Sequence, residues 1–423
     1  MLCGAMLVKP VIVSRSDLRG GAARAAWRLH QALRVAGVES TMRVADKASD
    51  DPDVIGPATG LGRTLASLRA RAGATLLKLQ RDDRRTPRSI SVLPSRLGVE
   101  LSRSGADVVN LHWICGEFLA IEDVSSIQKP LVWTLHDTWP IAGAEHIPEN
   151  ASAPRYTAAY SRTSRPAHHA GLDLDAWTWR RKLRSWQVPV RIVAPSHWMA
   201  EQARSSALAA EWPVHVIPNP VPTGTYRPWP KAIARQAFDL PEDAPLILFG
   251  ALGGGSDPRK GYDLLASALP LIGEAVPDAH AIVFGQSAPQ QRSASGLPTH
   301  YVGHLHDDVS LAFLYSAADV VVVPSRIDNL PQTATEAQSC GVPVVAFDTG
   351  GLADAVEHDR TGLLVDAFSV ENLASAIVAL LGDDEKRQSF GSAARARAER
   401  LWSSQVAADQ YIACFRKALD VAT

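Results

Sequence analysis

Apolar residues in this chain fall into short runs separated by polar loops. The clearest run is Asp319–Pro324 (DVVVVP), whose four valines suit a strand buried on both faces. A polar loop with Asp328 and Asn329 follows, and Pro331 has the fixed φ wanted at a first helical position. Gly341 and Pro343 supply a C-terminal stop. The pattern predicts a helix of about ten residues, roughly 15 Å long. Val342–Phe347 reads as a second strand, and Gly350-Gly351 open another turn. A strand–loop–helix–strand unit implies parallel strands joined by a right-handed crossover.

The same alternation recurs along the chain. Val11–Ser14 is the first strand, and Ala26, Leu29 and Leu33 give helical spacing up to Gly37. Asp107–Trp113, Leu131–Leu135, Arg191–Ser196 and Val214–Pro218 read as further strands of a first half. Asn219–Pro222 and Tyr226–Pro230 are rich in proline and form the best linker. Leu246–Phe249 then opens a second half on the same plan: strand, the glycine-rich GALGGGSDPRKG, and a helix from about Tyr262. Ala281–Gly285 and His300–Gly303 are short strands, Leu352–His358 a helix, and Gly362–Asp366 strand-like. A final helix around Ser404–Leu419 carries Val406, Tyr411, Cys414, Phe415 and Leu419.

Length and composition narrow the picture. With 423 residues, 46% of them hydrophobic, the chain suits two domains of ordinary size. The net charge of -1 predicts no nucleic-acid partner. Cys3, Cys115, Cys340 and Cys414 lack metal-ligand spacing and fit a reducing cytoplasm. No apolar run reaches the 18 residues of a bilayer span. The N-terminal MLCGAMLVKPVIVS reads as a first strand rather than a signal peptide, because Lys9 follows the apolar residues. A cytoplasmic protein is expected, with the inner face of the membrane as its other station.

Two basic stretches bear on that second station. Leu61–Arg88 holds eight Lys/Arg against Asp82 and Asp83, and Leu61, Leu65, Leu68, Ala72, Leu76 and Leu79 recur at spacings of three and four. This is an apolar stripe on a basic helix, read either as a helix on an anionic membrane or as one packed on its own domain. Ser161–Arg191 interleaves Arg162, Arg165, Arg180, Arg181, Lys182, Arg184 and Arg191 with Trp177, Trp179 and Trp186. Glycan or membrane contact is one reading, tryptophans packed inward the other. Asp173-Leu174-Asp175 has an Asp-x-Asp spacing but follows no apolar strand, so a metal role is discounted and no metal site is expected.

The candidate chemistry lies where strands end. N–H groups near Gln332 and Thr333 make the helix start a positive end able to hold phosphate, and Glu336 lies one turn further on the same face. With Asp328, two carboxylates flank a phosphate-friendly helix start. The plainer reading has Asp328 capping the helix and Glu336 as a solvated charge. Gly20-Gly21 before the first helix allow backbone to approach a phosphate, or form a common turn. Lys260, in Asp-Pro-Arg-Lys-Gly, puts a cation at a helix start. His136 ends the LVWTL strand, where ligand-facing residues usually sit, and offers a donor to a sugar hydroxyl or is a satisfied structural histidine. Asp137 is open between orienting His136 and binding a ligand.

The stretch around Glu336 resembles the donor-binding signature of retaining glycosyltransferases of the GT-B fold, glycosyltransferase family 4. That signature is Glu, seven residues, Glu, and a Cys-Gly-x-Pro-Val-Val tail; here Cys340–Val345 matches, Glu336 is the second Glu, and Asp328 replaces the first. NLPQTATEA is most similar to members that build bacterial exopolysaccharide. The resemblance implies two doubly wound α/β Rossmann-like domains facing each other across a cleft. They would be an acceptor-side domain over 1–222, a nucleotide-sugar domain over 223–400, and a helix over 401–423 crossing back to the first. It also implies a sugar moved from a nucleotide diphosphate sugar, as co-substrate, to a hydroxyl of a glycan, lipid-linked glycan or other acceptor, with no further cofactor. In the family's terms His136, Lys260 and Asp328 are catalytic. Gly20, Gly21, Arg259, Lys260, Asn329, Leu330, Gln332, Thr333 and Glu336 bind the donor, with Arg259 standing in for an arginine whose usual place holds Ala251.

Two other classes share part of this pattern. A nicotinamide-dependent oxidoreductase shares the α/β plan but needs a G-x-G-x-x-G fingerprint with its acidic partner, which is missing. A non-catalytic nucleotide-sugar or glycan-binding protein that keeps the GT-B fold would show departures such as Asp328 and Ala251.

Overall fold

Val320–Val323 is a fully buried strand between two parallel neighbours, as its unbroken valines require. The computed structural model describes residues 8–57, 59–82, 87–250, 257–288 and 296–420. Ala251 and Gly253–Gly255 lie outside the described residues.

The chain divides into two units, 1–217 with 407–423, and 218–406. Strands of the first are β1 (Pro10–Ser16), β2 (Thr41–Asp46), β3 (Val54–Ile55), β4 (Gln80–Arg81), β5 (Val108–Leu111), β6 (Leu131–Thr134), β7 (Ala170–Gly171), β8 (Arg191–Ala194) and β9 (Val214–Val216). Seven of them form one parallel sheet in the order β3-β2-β1-β5-β6-β8-β9; β4 and β7 make a separate antiparallel pair. The order runs outward one way from β1, then reverses between β1 and β5, the signature of a doubly wound sheet.

The second unit holds β10 (Leu246–Gly250), β11 (His280–Phe284), β12 (Thr299–Gly303), β13 (Val320–Val323), β14 (Val344–Phe347) and β15 (Gly362–Val365). They form a parallel sheet ordered β12-β11-β10-β13-β14-β15, reversing between β10 and β13. Its two apolar layers take alternate valines of β13: Val321 and Val323 in one, Val320 and Val322 in the other.

The boundaries fall a few residues from 222 and 400. Val221 N–H bonds Trp402 O, and Val221 and Trp402 share one apolar cluster, so the proline-rich stretch from Pro218 packs on the second unit. The helix Ser404–Asp420 then leaves that unit. Its Ala408, Tyr411, Cys414, Phe415 and Ala418 join Ile12, Leu29, Val132 and Val193 in a core layer of the first.

Candidate functional site

In doubly wound sheets the ligand crevice lies beyond the carboxyl ends of strands, where strand order reverses. In the second unit that point is flanked by the loop after β13 and by the turn Asp257–Gly261 that follows β10 in the chain. The structure brings the predicted Lys260 and Asp328 together there: Lys260 Nζ donates to Asp328 Oδ2 at 2.6 Å. Asn329 N–H donates to Asp328 Oδ1 at 3.1 Å, and Ser325 Oγ lies 3.4 Å from Oδ2. Asp328 therefore does not cap the helix. The helix Gln332–Ser339 starts from Pro331, whose ψ of 120° keeps it outside the helix, and no side chain caps it.

Backbone packing fixes this arrangement. Gly261 has φ +67°, and a Cβ there would sit 1.8 Å from Pro324 O, so only glycine lets the lysine turn approach the β13 loop. Arg326 N–H bonds Arg259 O at 2.7 Å, and its guanidinium bonds Pro258 O and Asp263. On the other side Gly351 N–H bonds Asp328 O at 2.9 Å, and Gly350, at φ +56°, leaves 2.7 Å between that oxygen and a would-be Cβ. Arg259 is turned back on its own turn, its guanidinium held by both oxygens of Asp257 at 2.9 and 2.6 Å.

Beside the pair lies the helix start. Asn329, Gln332 and Thr333 are half-buried and Leu330 is buried. The first intrahelical bonds come from Ala334 and Thr335 N–H to Pro331 O. Glu336 is 3% exposed and accepts the Tyr315 hydroxyl at 2.9 Å, which overturns the reading of a solvated charge. Burial, then the Glu336 carboxylate, holds the Tyr315 phenol well above its usual range, so it remains a hydrogen-bond donor.

In the first unit the equivalent reversal lies between β1 and β5. After β1, the buried Asp17 carboxylate accepts the N–H groups of Leu18, Ala48 and Ser49 at 2.8–3.1 Å. Burial alone would raise its pKa, but the donors from Ser49 and Ala48 outweigh it and lower it. The loop so fixed carries Gly20, at φ +96°, and Gly21, which begins the helix Gly21–Val35 without a side-chain cap.

His136 follows β6 and stacks on His112, which follows β5, with ring centroids 5.1 Å apart. The hydrogen bonds fix the tautomers. Asn110 Nδ2 donates to Val132 O and Thr134 Oγ1, so Asn110 Oδ1 must accept, at 3.0 Å, from His112 Nε2–H. A neutral His112 then accepts at Nδ1, and His136 Nε2–H donates to it at 2.8 Å. Burial, partly opposed by the Asp137 charge, lowers the His136 pKa to about 4. The neutral imidazole has committed its N–H, and its remaining polar atom, Nδ1, is an acceptor for a hydroxyl, not the donor expected. Asp137 does not orient His136: it takes His146 Nδ1 at 2.6 Å, Trp113 Nε1 at 2.9 Å and Trp139 N–H at 2.9 Å.

Two family models match this chain: "Glycosyltransferase Family 4" over residues 19–225 and "Glycosyl transferases group 1" over 231–397. A D-inositol 3-phosphate glycosyltransferase 1 of Catenulispora acidiphila is 30% identical over 334 residues, covering 74% of this chain and 73% of its own. The chain belongs to glycosyltransferase family 4. A D-inositol 3-phosphate glycosyltransferase of Segniliparus rotundus is 34% identical over 217 residues, 49% of this chain and 47% of that protein. The chain thus spans about half the length of the first curated relatives it matches. Among solved structures, the sucrose-phosphate synthase of Thermosynechococcus elongatus superposes with TM-score 0.71 at 20% identity, covering 98% of this chain and all of that one. The Anabaena Alr3699/HepE complex with UDP-glucose gives 0.65 at 19%, covering 97% and 99%. These likenesses establish the GT-B fold.

Within this family framework, several residues around the site carry no sequence signal of their own. His112 and Tyr315 are known as partners of His136 and Glu336 only once the strands and helices are assembled. Gly350 was readable as a turn, but neither it nor Gly261 as the contacts that hold Asp328 and Lys260. Asp173 caps the helix Leu174–Ser185, and Asp175 binds Arg88 and Gln80, so Asp173-Leu174-Asp175 is structural. In the second basic stretch Trp179 and Trp186 pack inward, Trp177 is exposed under Arg181, and buried Lys182 binds the carbonyls of Trp139, Ala142 and Gly143.

The first basic stretch differs from its packed-helix reading. The helix Gly60–Leu77 buries one of its described residues, Gly73, while Arg69 binds Leu93 O, Pro94 O and Glu117 O. Leu61, Leu65 and Leu68 stay 80%, 57% and 53% exposed. No helix among the described residues is long and apolar enough to cross a membrane.

Proposed function

We propose that this family member transfers a sugar from a nucleotide diphosphate sugar to a hydroxyl of a glycan, a lipid-linked glycan or another acceptor, with retained anomeric configuration and no metal in the transfer step. The observation that carries the reading is the Lys260–Asp328 pair beside an uncapped helix start at the reversal point of the second sheet.

Cleaving the anomeric C–O bond builds negative charge on the departing diphosphate and positive charge on the sugar. The Lys260 ammonium and the N–H groups at Gln332 and Thr333 meet the first charge. One preorganised donor of this kind is worth roughly 3 kcal/mol, about a hundredfold in rate. Asp328 holds the lysine in place and lies where the donor sugar would be. Glu336 would hold ribose hydroxyls, with Tyr315 fixing its carboxylate. Within the first unit, His136 Nδ1 would accept from a sugar hydroxyl, and Gly20-Gly21 would let backbone approach a phosphate.

Relatives named for D-inositol 3-phosphate and for GDP-mannose-dependent mannosyl transfer to phosphatidylinositol mannoside support a polyol or lipid-linked acceptor. The solved UDP-glucose complex supports trying uridine donors beside guanosine ones. The exposed leucines of Gly60–Leu77, with Arg63 and Arg71 on the same helix and Lys78 just after it, support contact with an anionic membrane surface.

The test is release of nucleoside diphosphate from UDP- and GDP-sugars with polyol, glycan and lipid-linked acceptors, followed by assignment of the product anomer. Turnover with retained configuration is expected. Binding of a donor without turnover on any acceptor would instead make the chain a non-catalytic nucleotide-sugar binder.

A further inference from the structure

Between the short 3-10 helix Trp139–Ile141 and the helix Leu174–Ser185, the chain runs through a long stretch whose only regular pieces are a 3-10 turn, Arg155–Thr157, and β7. Irregular segments of that length are uncommon inside a compact domain and are usually functional. No cysteine lies in the stretch, and the described cysteines are free and buried elsewhere.

Its outgoing limb carries Glu149 and its returning limb His168 and His169. One ligating atom from each lies within 4.8 Å of the others. His168 Nε2 is 2.5 Å from Glu149 Oε1, and His169 Nε2 is 2.9 Å from Glu149 Oε2. The His169 side chain is only 2% exposed, yet neither ring nitrogen has a hydrogen-bond partner among the described residues. Buried imidazole nitrogens are normally satisfied, so a buried ring aimed at a carboxylate without hydrogen-bond geometry needs another occupant. Asp82 Oδ2 lies 3.9 Å from the same Nε2. The cluster opens on a cavity of about 520 Å³ also lined by Arg155, Ser164 and Pro166, which gives a route in and room for a fourth, water ligand.

We propose that Glu149, His168 and His169 bind a divalent first-row metal ion of the zinc type, which ties the two limbs of this loop together. Two imidazoles and one carboxylate are a donor set that zinc accepts in four-coordinate geometry. The ion closes a loop from Glu149 to His169 within the first unit, so its effect is local to this segment.

The experiment uses the full chain without a histidine tag, loaded with zinc, dialysed, and measured for metal by mass spectrometry and for melting temperature with and without EDTA. About one equivalent of zinc and a melting temperature lowered by EDTA are expected. Glu149→Gln, His169→Ala and the milder His168→Asn should each cut retained zinc at least tenfold and abolish the EDTA effect. His169→Cys should restore binding, because a thiolate replaces the imidazole as ligand, which separates lost ligation from lost folding. A wild-type chain holding under a tenth of an equivalent would overturn the proposal and leave two histidines ion-paired with Glu149. Stoichiometric zinc that survives all three substitutions would overturn it equally.

Discussion

Lys260 Nζ and Asp328 Oδ2, 2.6 Å apart, join the turn after β10 to the loop after β13. Sixty-eight residues separate them in sequence, and both are partly exposed, so the pair contributes at most about 1 kcal/mol to stability. Its value is positional. Lys260→Ala should lower kcat/KM about a hundredfold while the melting temperature barely moves. Steady-state kinetics beside a melting curve checks this; near-normal turnover would move the diphosphate site elsewhere.

Glu336 and Tyr315 separate binding from packing. Glu336→Ala should weaken nucleoside diphosphate binding at least tenfold, and it also leaves a buried hydroxyl unpaired, at about 1–3 kcal/mol. Tyr315→Phe should cost about 1 kcal/mol yet leave affinity close to normal. If Tyr315→Phe weakened binding as much as Glu336→Ala, the ribose contact would be replaced by a purely structural role for Glu336.

His136 should stay neutral through the working range. Its pKa falls from 6.5 to about 4 in the folded chain. Between pH 4 and pH 6.5 the unfolded chain therefore binds a proton that the folded chain does not, so stability rises with pH across that window and levels off above it. Melting curves over that range should flatten in His136→Asn relative to wild type. Carbon-13 NMR of the ring should show the Nε2–H tautomer and no titration near pH 6.5.

Gly261→Ala should destabilise the second unit by about 1–3 kcal/mol, because alanine resists the positive φ and its Cβ meets Pro324 O. Activity should fall further than stability accounts for, since the same turn places Lys260. Calorimetry and kinetics on one preparation would reveal both.

Leu65→Asp with Leu68→Asp should abolish co-flotation with vesicles containing phosphatidylserine, while leaving turnover on a water-soluble acceptor unchanged. Flotation that persists would return the helix Gly60–Leu77 to an ordinary solvated surface.

The fold was legible because its strands advertise themselves. The valines of β13 alternate between two apolar layers, which an unbroken run encodes directly. Of the candidate site, Lys260, Asp328 and the helix start were readable from turn chemistry and motif spacing. What the sequence hid were relations made by assembly. Asp137 follows His136 directly, yet its carboxylate faces His146 and Trp113. His136 takes its tautomer from Asn110 of another strand, through His112 just after it. The leucine stripe of Gly60–Leu77 allowed a packed face or a membrane face, and periodicity alone cannot tell which side of a helix finds a neighbour. Arg259 looked available for phosphate, but the nearest carboxylate, Asp257, takes it first.

The most direct measurement is calorimetric titration of UDP and GDP into the wild-type chain, Lys260→Ala and Glu336→Ala. The account predicts that one nucleotide binds wild type at about one per chain and that both substitutions weaken it at least tenfold, more than 1.4 kcal/mol. Failure of both nucleotides to bind, or equal binding by all three proteins, would contradict a donor site built around Lys260, Asp328 and Glu336.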